Sequence, residues 1–184
     1  GYVIKLLGVA KNTEDGIEVK VHPMLIPNNH PLANVNDAFN AVFVHGKAMD
    51  DAMFMGRGAG QMPTASAVVG DIIDVCRNIV HDSCGRIGCC CYKNLEVKDI
   101  TDTKSKFFLR LEVADKQGVL ANIASVLGNS GVSIAQVVQK SGKDGVAELV
   151  IITAEVLEKN FNDAMAVFKG LSAVKNIAGV IRVY

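Results

Sequence analysis

The stretch 113-VADKQGVLANIASVLGNSGVSI-134 contains the end of one strand pattern, a short turn, a helix pattern and the start of another strand. The apolar residues of its middle part recur at spacings of three and four, at Val119, Ile123, Val126 and Leu127. This spacing predicts a helix with one apolar face, which a glycine at position 128 or 131 would end. The stretch therefore predicts a strand–turn–helix–strand unit.

The neighbouring segments extend this unit. Residues 106–114, 132–140, 146–154 and 174–184 read as strands, and residues 156–171 read as a helix with Phe161, Met165 and Phe168 inward. The order β-α-β-β-α-β is that of a ferredoxin-like unit, in which four antiparallel strands carry two helices on one face. The other face must be solvated or paired, which favours a dimer.

The first part of the chain has a different pattern of apolar residues. Residues 2–11 and 17–25 predict a hairpin around a polar turn, residues 31–35 a helical turn, and residues 40–46 and 52–56 two more strands. From Pro63 the apolar residues follow a helical period, at Ala65, Val68, Val69, Ile72, Ile73, Cys76, Ile79 and Val80. We expect an α+β protein with a mixed or antiparallel sheet and a long helix in residues 1–80, a linker in 81–104, and the ferredoxin-like unit in 105–184.

Composition excludes several classes of function. The 184 residues carry 19 Lys+Arg and 19 Asp+Glu, so no overall field favours nucleic acid or an anionic membrane. Glu148 and Glu155 interrupt the longest apolar run, and no run reaches the roughly 20 residues that span a bilayer. No signal peptide is visible, and three of the five cysteines are consecutive, which suits a reduced, cytoplasmic compartment better than disulfides.

A metal site is not expected. The four histidines lack ligand spacing. Cys84 with Cys89, Cys90 and Cys91 could bind zinc in principle, but three consecutive residues seldom provide the geometry, so free thiols are the default interpretation.

Two families resemble this sequence. The stretch 113–134, with its D-x-x-G-V-L-A turn and G-V-S-I, resembles an ACT domain, a small amino-acid-binding regulatory module. The stretches 21-VHPMLIPNNHPLANVNDAFNAVFV-44 and 56-GRGAGQMPTASAVVGDI-72 resemble the end of the catalytic region of homoserine dehydrogenase. Together they cover nearly the whole chain, in the order found in the ACT-bearing form of that enzyme.

The resemblance implies an activity for a longer parent protein. The family interconverts L-homoserine and L-aspartate 4-semialdehyde with NAD(P), on the route to threonine, methionine and isoleucine. Its Rossmann domain and its catalytic Lys and Asp precede the position of Gly1, so we expect a C-terminal fragment with no catalytic residue, no bound cofactor and no activity by itself. The alternatives are a non-enzymatic ACT-type sensor or dimerisation module, and a different oxidoreductase with an ACT tail.

The glycines at 56, 58 and 60 have two interpretations. As a dinucleotide fingerprint they fail, because position 61 is Gln and no suitable strand follows; a tight strand-to-helix corner is the plain interpretation. The resemblance implies that this corner lies near the cofactor. Gly56, Gly58 and Gly60 would then let the backbone approach the nicotinamide end, and Thr64 would offer a hydroxyl or support the turn.

The turn before the first ferredoxin-like helix also has two interpretations. Asp115 could be the N-cap of that helix. The resemblance implies instead an effector site made of Asp115, Gln117, Gly118 and Val119, in which helix N–H groups hold the carboxylate of an amino acid and Asp115 takes its ammonium. Gln136 would reach the effector from a neighbouring subunit. The family implies threonine as the effector, although some ACT folds serve only as dimer contacts.

Overall fold

The computed structural model describes residues 1–85, 88, 94–140, 142 and 144–184. In chain order the helices and strands of this described part are β1 (Tyr2–Thr13), β2 (Gly16–Pro27), β3 (Phe39–Gly46), β4 (Asp50–Arg57), α1 (Gln61–Val80), β5 (Lys104–Ala114), α2 (Val119–Asn129), β6 (Ile134–Lys140), β7 (Val146–Thr153), β8 (Val156–Leu157), α3 (Glu158–Gly170) and β9 (Val174–Val183). Short 3-10 helices occur at Pro31–Asn34 and Ile100–Asp102. Contacts group the chain into two compact units, Gly1–Pro27 with Leu95–Tyr184, and Asn28–Asn94.

The first unit contains the expected βαββαβ arrangement. Its central strand β5 pairs antiparallel with β7 on one side and β9 on the other, and β6 pairs antiparallel with β7 at the edge. The resulting order β9-β5-β7-β6 confirms the ferredoxin-like prediction and the α+β class.

Strict alternation along the central strands builds the core of this unit. Residues 105, 107, 109, 111 and 113 of β5 are buried, and so are alternate residues of β7. Because successive side chains of a strand point to opposite faces, all of these residues meet the helices. Phe107 stacks on Phe161 of α3 with ring centroids 3.6 Å apart, and Ile123 and Leu127 of α2 are fully buried beside them.

The β1–β2 hairpin belongs to the same sheet as β5, which differs from the linear division into residues 1–80 and 105–184. Strand β2 runs parallel to the edge strand β9, with Met24 opposite Arg182 and Leu25 opposite Val183, and the amide of Tyr184 donates to the Leu25 carbonyl over 2.9 Å. An edge strand presents unpaired backbone groups that a further strand can satisfy. Sequence periodicity carries no information about such distant pairing, so a division by sequence alone keeps the hairpin with residues 28–80.

The second unit contains the β3–β4 hairpin, which forms a separate two-stranded sheet, and the 20-residue helix α1. The helical face predicted from its spacing lies exposed: α1 buries none of its residues in the described chain, and Ile72 is 56% exposed. The helical turn predicted at residues 31–35 is the 3-10 helix Pro31–Asn34. Among the helices of the described part, none combines the length and the apolar character that crossing a membrane requires.

Candidate functional site

A tight turn connects β5 to α2 in the first unit. The Asp115 amide donates to the Gly145 carbonyl over 2.8 Å, which ties this turn to the start of β7. Gly118 is the N-cap of α2 with φ 83° and ψ −10°, the left-handed region. Glycine adopts that region without steric cost, so the turn can reverse and enter the helix within four residues.

A cavity of about 220 Å³ opens at the N-terminus of α2. Its apolar wall comes from the end of β5, the first turn of α2 and the middle of β7, and its polar rim from the turn and β6. The lining residues are Val113, Ala114, Lys116, Gln117, Gly118, Val119, Leu120, Gln139 and Leu149. The exposed lining of the cavity is more polar than apolar, which suits a small polar molecule.

The donors around this cavity suit a carboxylate. The first N–H groups of a helix have no intrahelical acceptor, and no side chain caps the N-terminus of α2. These groups and the positive end of the helix dipole favour an anion, and the Lys116 side chain adds a cation to the lining. The amides of Gln117 and Gln139 provide both donors and acceptors, while Val113 and Leu149 provide apolar contact. The cavity therefore offers donors for an anionic group with apolar contact beside them.

The structure brings together three of the five predicted effector residues: Gln117, Gly118 and Val119 line the cavity. Asp115 is exposed and outside the lining, and it is not the N-cap of α2, because Gly118 holds that position.

Gln136 also lies outside the lining, on the opposite face of the sheet. It pairs with Ile152, whose neighbour Ile151 is the buried residue that faces the helices. Gln139, which the sequence analysis missed, pairs with the buried Leu149 and reaches the cavity. A register irregularity between Ile134 and Gln136 sets which face each residue takes, and nothing in the residue pattern marks it.

The glycine corner lies in the second unit, between β4 and α1. The Gly58 amide donates to the Ala38 carbonyl over 2.9 Å, and a Cβ at position 58 would overlap the side-chain amide of Asn40. Gly60 is the N-cap of α1 with φ 126°, a conformation that side chains rarely adopt. The backbone therefore favours glycine at 60, and at 58 a Cβ would require the exposed Asn40 side chain to move.

The N-terminus of α1 presents free donors. No side chain caps it, Pro63 has no N–H, and the Thr64 amide already donates to the Gly60 carbonyl over 3.1 Å. The amides of Gln61 and Met62 are then left for another acceptor. Gly56, Gly58, Gly60 and Thr64 are all exposed at this corner, so an anionic or polar group can approach the backbone.

In the described part of the chain, no group of three or more His, Cys, Asp or Glu side chains is placed to hold a metal ion. Cys76 and Cys84 are exposed free thiols. The interpretation of Cys89, Cys90 and Cys91 falls outside the described residues.

Two family models match the chain, one over each part. The homoserine dehydrogenase model matches residues 1–73, and the ACT domain model matches residues 101–182. The first match contains the glycine corner together with the β1–β2 hairpin, and the second contains the cavity.

Relatives and solved structures match along the whole chain. The homoserine dehydrogenase of Pseudomonas aeruginosa is 39% identical over 190 residues, which cover 100% of this chain and 44% of that protein. That of Bacillus subtilis is 38% identical, over 100% of this chain and 43% of that protein. The crystal structure of a homoserine dehydrogenase from Thiobacillus denitrificans superimposes with a TM-score of 0.88 at 39% identity, over 100% of this chain and 43% of that one. The chain thus spans less than half the length of these relatives, with residues 1–73 matching the homoserine dehydrogenase family and residues 101–182 the ACT domain family.

Proposed function

We propose that this chain is the C-terminal part of an NAD(P)-dependent homoserine dehydrogenase, which interconverts L-homoserine and L-aspartate 4-semialdehyde. The observation that carries the proposal is the 0.88 TM-score over 100% of the chain to a homoserine dehydrogenase structure. The presence of both family matches in one chain adds support. Cysteine usage supports a cytoplasmic location, and the open face of the ferredoxin-like sheet supports a homodimer.

The glycine corner would contribute to the cofactor site. The described residues fit a dinucleotide there, because Gly58 and Gly60 expose the backbone and the amides of Gln61 and Met62 are free to donate. Thr64 would add a hydroxyl donor or acceptor. The bound NAD(P) would supply or accept the hydride. A preceding Rossmann domain would hold the rest of the cofactor, and the chain by itself would be inactive and bind no cofactor.

The ACT unit would bind a free amino acid, with threonine as the first candidate for feedback control of the pathway to threonine, methionine and isoleucine. The carboxylate would lie at the N-terminus of α2 near Lys116, and the side chain would lie against Val113 and Leu149. Gln117 and Gln139 would hydrogen-bond the ammonium and any side-chain hydroxyl. Effector binding there and substrate binding at the catalytic site would be linked by a coupling free energy that changes both affinities by the same factor.

The test uses the full-length protein that contains this chain. Homoserine oxidation is followed as NAD(P)H formation, with wild type, Gly60→Val and the control Gly70→Ala. Gly60→Val forces a β-branched residue into φ 126°, whereas Gly70 lies inside α1 with open space around its Cβ position. We expect Gly60→Val to raise KM for the cofactor at least tenfold, and Gly70→Ala to leave it unchanged. No NAD(P)-dependent turnover of homoserine by the wild type would overturn the enzyme proposal.

A second candidate function is a non-enzymatic amino-acid sensor, which the separate ACT match favours. Amino-acid binding without any homoserine turnover by the full-length protein would select it over the enzyme.

A further inference from the structure

A buried polar network joins the β1–β2 hairpin to the ferredoxin-like unit. The Lys20 Nζ donates to the Lys104 carbonyl and to the Ser105 Oγ, both over 2.9 Å. The Ser105 hydroxyl in turn donates to Glu158 Oε1 over 2.9 Å. The network thus runs from the family-matched hairpin into the ACT-matched residues through an unbroken series of hydrogen bonds.

Glu158 is the centre of this network. It is 2% exposed and accepts both arms of the Arg182 guanidinium, from Nε over 2.6 Å and from Nη2 over 2.7 Å. Such a bidentate pair fixes geometry as well as charge. Arg182 also lies 5.5 Å from the centroid of the Phe107 ring, which connects the network to the core.

The other charges around Lys20 lie on or beside the hairpin. Glu18, 5% exposed, has its carboxylate 3.9 Å from the Lys20 Nζ and 3.9 Å from the Lys98 Nζ. His22 lies on the same strand face, and its buried Nε2 has no hydrogen-bond partner among the described residues. Burial, more than any neighbouring charge, lowers the pKa of Lys20 and of His22.

The lowered pKa values mean that the charged forms of Lys20 and His22 lose hydration where the hairpin packs against the ferredoxin-like unit. A buried ion pair offsets that loss only partly, and it defines one geometry more than it adds stability. Water can replace every contact of Glu18, Lys20 and His22 if the hairpin moves away. In the joint between the β1–β2 hairpin and the ferredoxin-like unit, these polar side-chain contacts therefore cost less to separate than apolar contacts would. Opening also breaks the two backbone hydrogen bonds, each 2.9 Å long, that Ile17 makes with Glu96 and Lys98.

The other end of the joint, near Met24 and Ile26, is apolar. Met24 and Ile26 are buried apolar side chains at 4% and 0% exposure, and β2 pairs with β9 through Met24 and Leu25. Exposing these apolar groups would cost hydrophobic free energy. The joint thus has an apolar end, backbone-paired at Met24 and Leu25, and a polar end at 18–22.

We propose that Lys20, Ser105, Glu158 and Arg182 form a releasable polar clasp that sets the orientation of the β1–β2 hairpin on the ACT domain. The hairpin opens as a unit, with its pairing to β9 at Met24 and Leu25 as the hinge, while the ferredoxin-like core stays folded. The clasp controls where the hairpin presents its exposed apolar side chains, among them Leu6 at 72% and Val21 at 63% exposure.

Hydrogen–deuterium exchange on the full-length protein tests the clasp. A two-stranded hairpin without support is marginally stable, so more frequent opening raises exchange in its own amides. The variants are Lys20→Gln, which is too short to reach Ser105, and Ser105→Ala, which removes the bridging hydroxyl. The control is Arg110→Gln, because Arg110 lies on the same strand as Ser105 but in an exposed ion pair with Glu148.

We expect Lys20→Gln and Ser105→Ala to raise exchange in peptides covering residues 16–22 about tenfold, and to leave residues 146–153 of the core strand unchanged. Arg110→Gln should leave both regions unchanged. The clasp is overturned if hairpin and core exchange rise together, if the hairpin does not respond, or if the control gives the same response. No amino acid is present in this experiment, so its outcome is independent of the effector and of the dehydrogenase activity.

Discussion

Gly118, the left-handed N-cap of α2, allows a paired test of the turn at which we propose that the effector binds. Gly118→Ala and Gly128→Ala make the same chemical change at the two ends of one helix, and both Cβ positions point into open space. Gly118 has φ 83°, so an alanine there costs about 1 to 2 kcal/mol from the backbone alone. Gly128 lies within the helix, where alanine gains about 0.5 to 1 kcal/mol over glycine. The two substitutions should therefore have opposite signs and differ by about 2 kcal/mol.

Native-state hydrogen exchange of the α2 amides measures this difference in the full-length protein. Since 1.4 kcal/mol corresponds to a factor of about ten, exchange of Ile123 should rise about five- to thirtyfold in Gly118→Ala. In Gly128→Ala it should fall about threefold. Equal or same-sign effects would refute the left-handed N-cap, and with it the placement of the free amides at the cavity.

Three further predictions concern stability, read from urea unfolding. Ile123→Ala should destabilise by about 2 to 5 kcal/mol, because the side chain is fully buried, whereas the half-exposed Val167→Ala should cost under about 1 kcal/mol. Glu158→Ala should cost about 3 to 5 kcal/mol by leaving Arg182 unpaired, against about 1 kcal/mol or less for Glu148→Ala. Burial lowers the pKa of His22 below its ordinary 6.5, so the unfolded chain binds the proton first and stability falls as pH drops below about 6.5; His22→Gln should remove this loss.

Each of these three predictions can be contradicted by its own measurement. Equal losses for Ile123→Ala and Val167→Ala would contradict the placement of the core. A loss below about 1 kcal/mol in Glu158→Ala would mean that the guanidinium finds other partners or water. For His22, the comparison is the difference between wild type and His22→Gln at pH 5 and pH 7; a difference that does not change with pH would contradict the burial of its ring.

Much of the fold follows from local patterns in the sequence. Residues 107, 109, 111 and 113 alternate with polar or half-exposed neighbours, and Val119, Ile123 and Leu127 follow the helical period, so strand and helix identities are visible directly. The βαββαβ order then restricts the topology, because connections are short and the helices must cover one face.

The features that the sequence pattern does not locate depend on non-local geometry. The β2–β9 pairing joins residues about 160 positions apart in the chain, at Met24 and Arg182, and no period of either strand encodes its partner. The side of the sheet taken by Gln136 and Gln139 depends on one irregularity near Ile134, and a shift of one residue exchanges the two faces. Residue preference makes Asp115 one candidate for the N-cap, but the left-handed turn places Gly118 there.

Calorimetric titration of the full-length protein with L-amino acids, threonine first, tests the central claim most directly. The account predicts saturable heat with threonine or another small L-amino acid, and at least tenfold weaker affinity in Gln139→Leu, which keeps the side-chain size but loses the amide at the cavity. The claim is contradicted if no L-amino acid gives heat at about millimolar concentration, which is about 1,000 times a micromolar Kd. Unchanged affinity in Gln139→Leu would also contradict it.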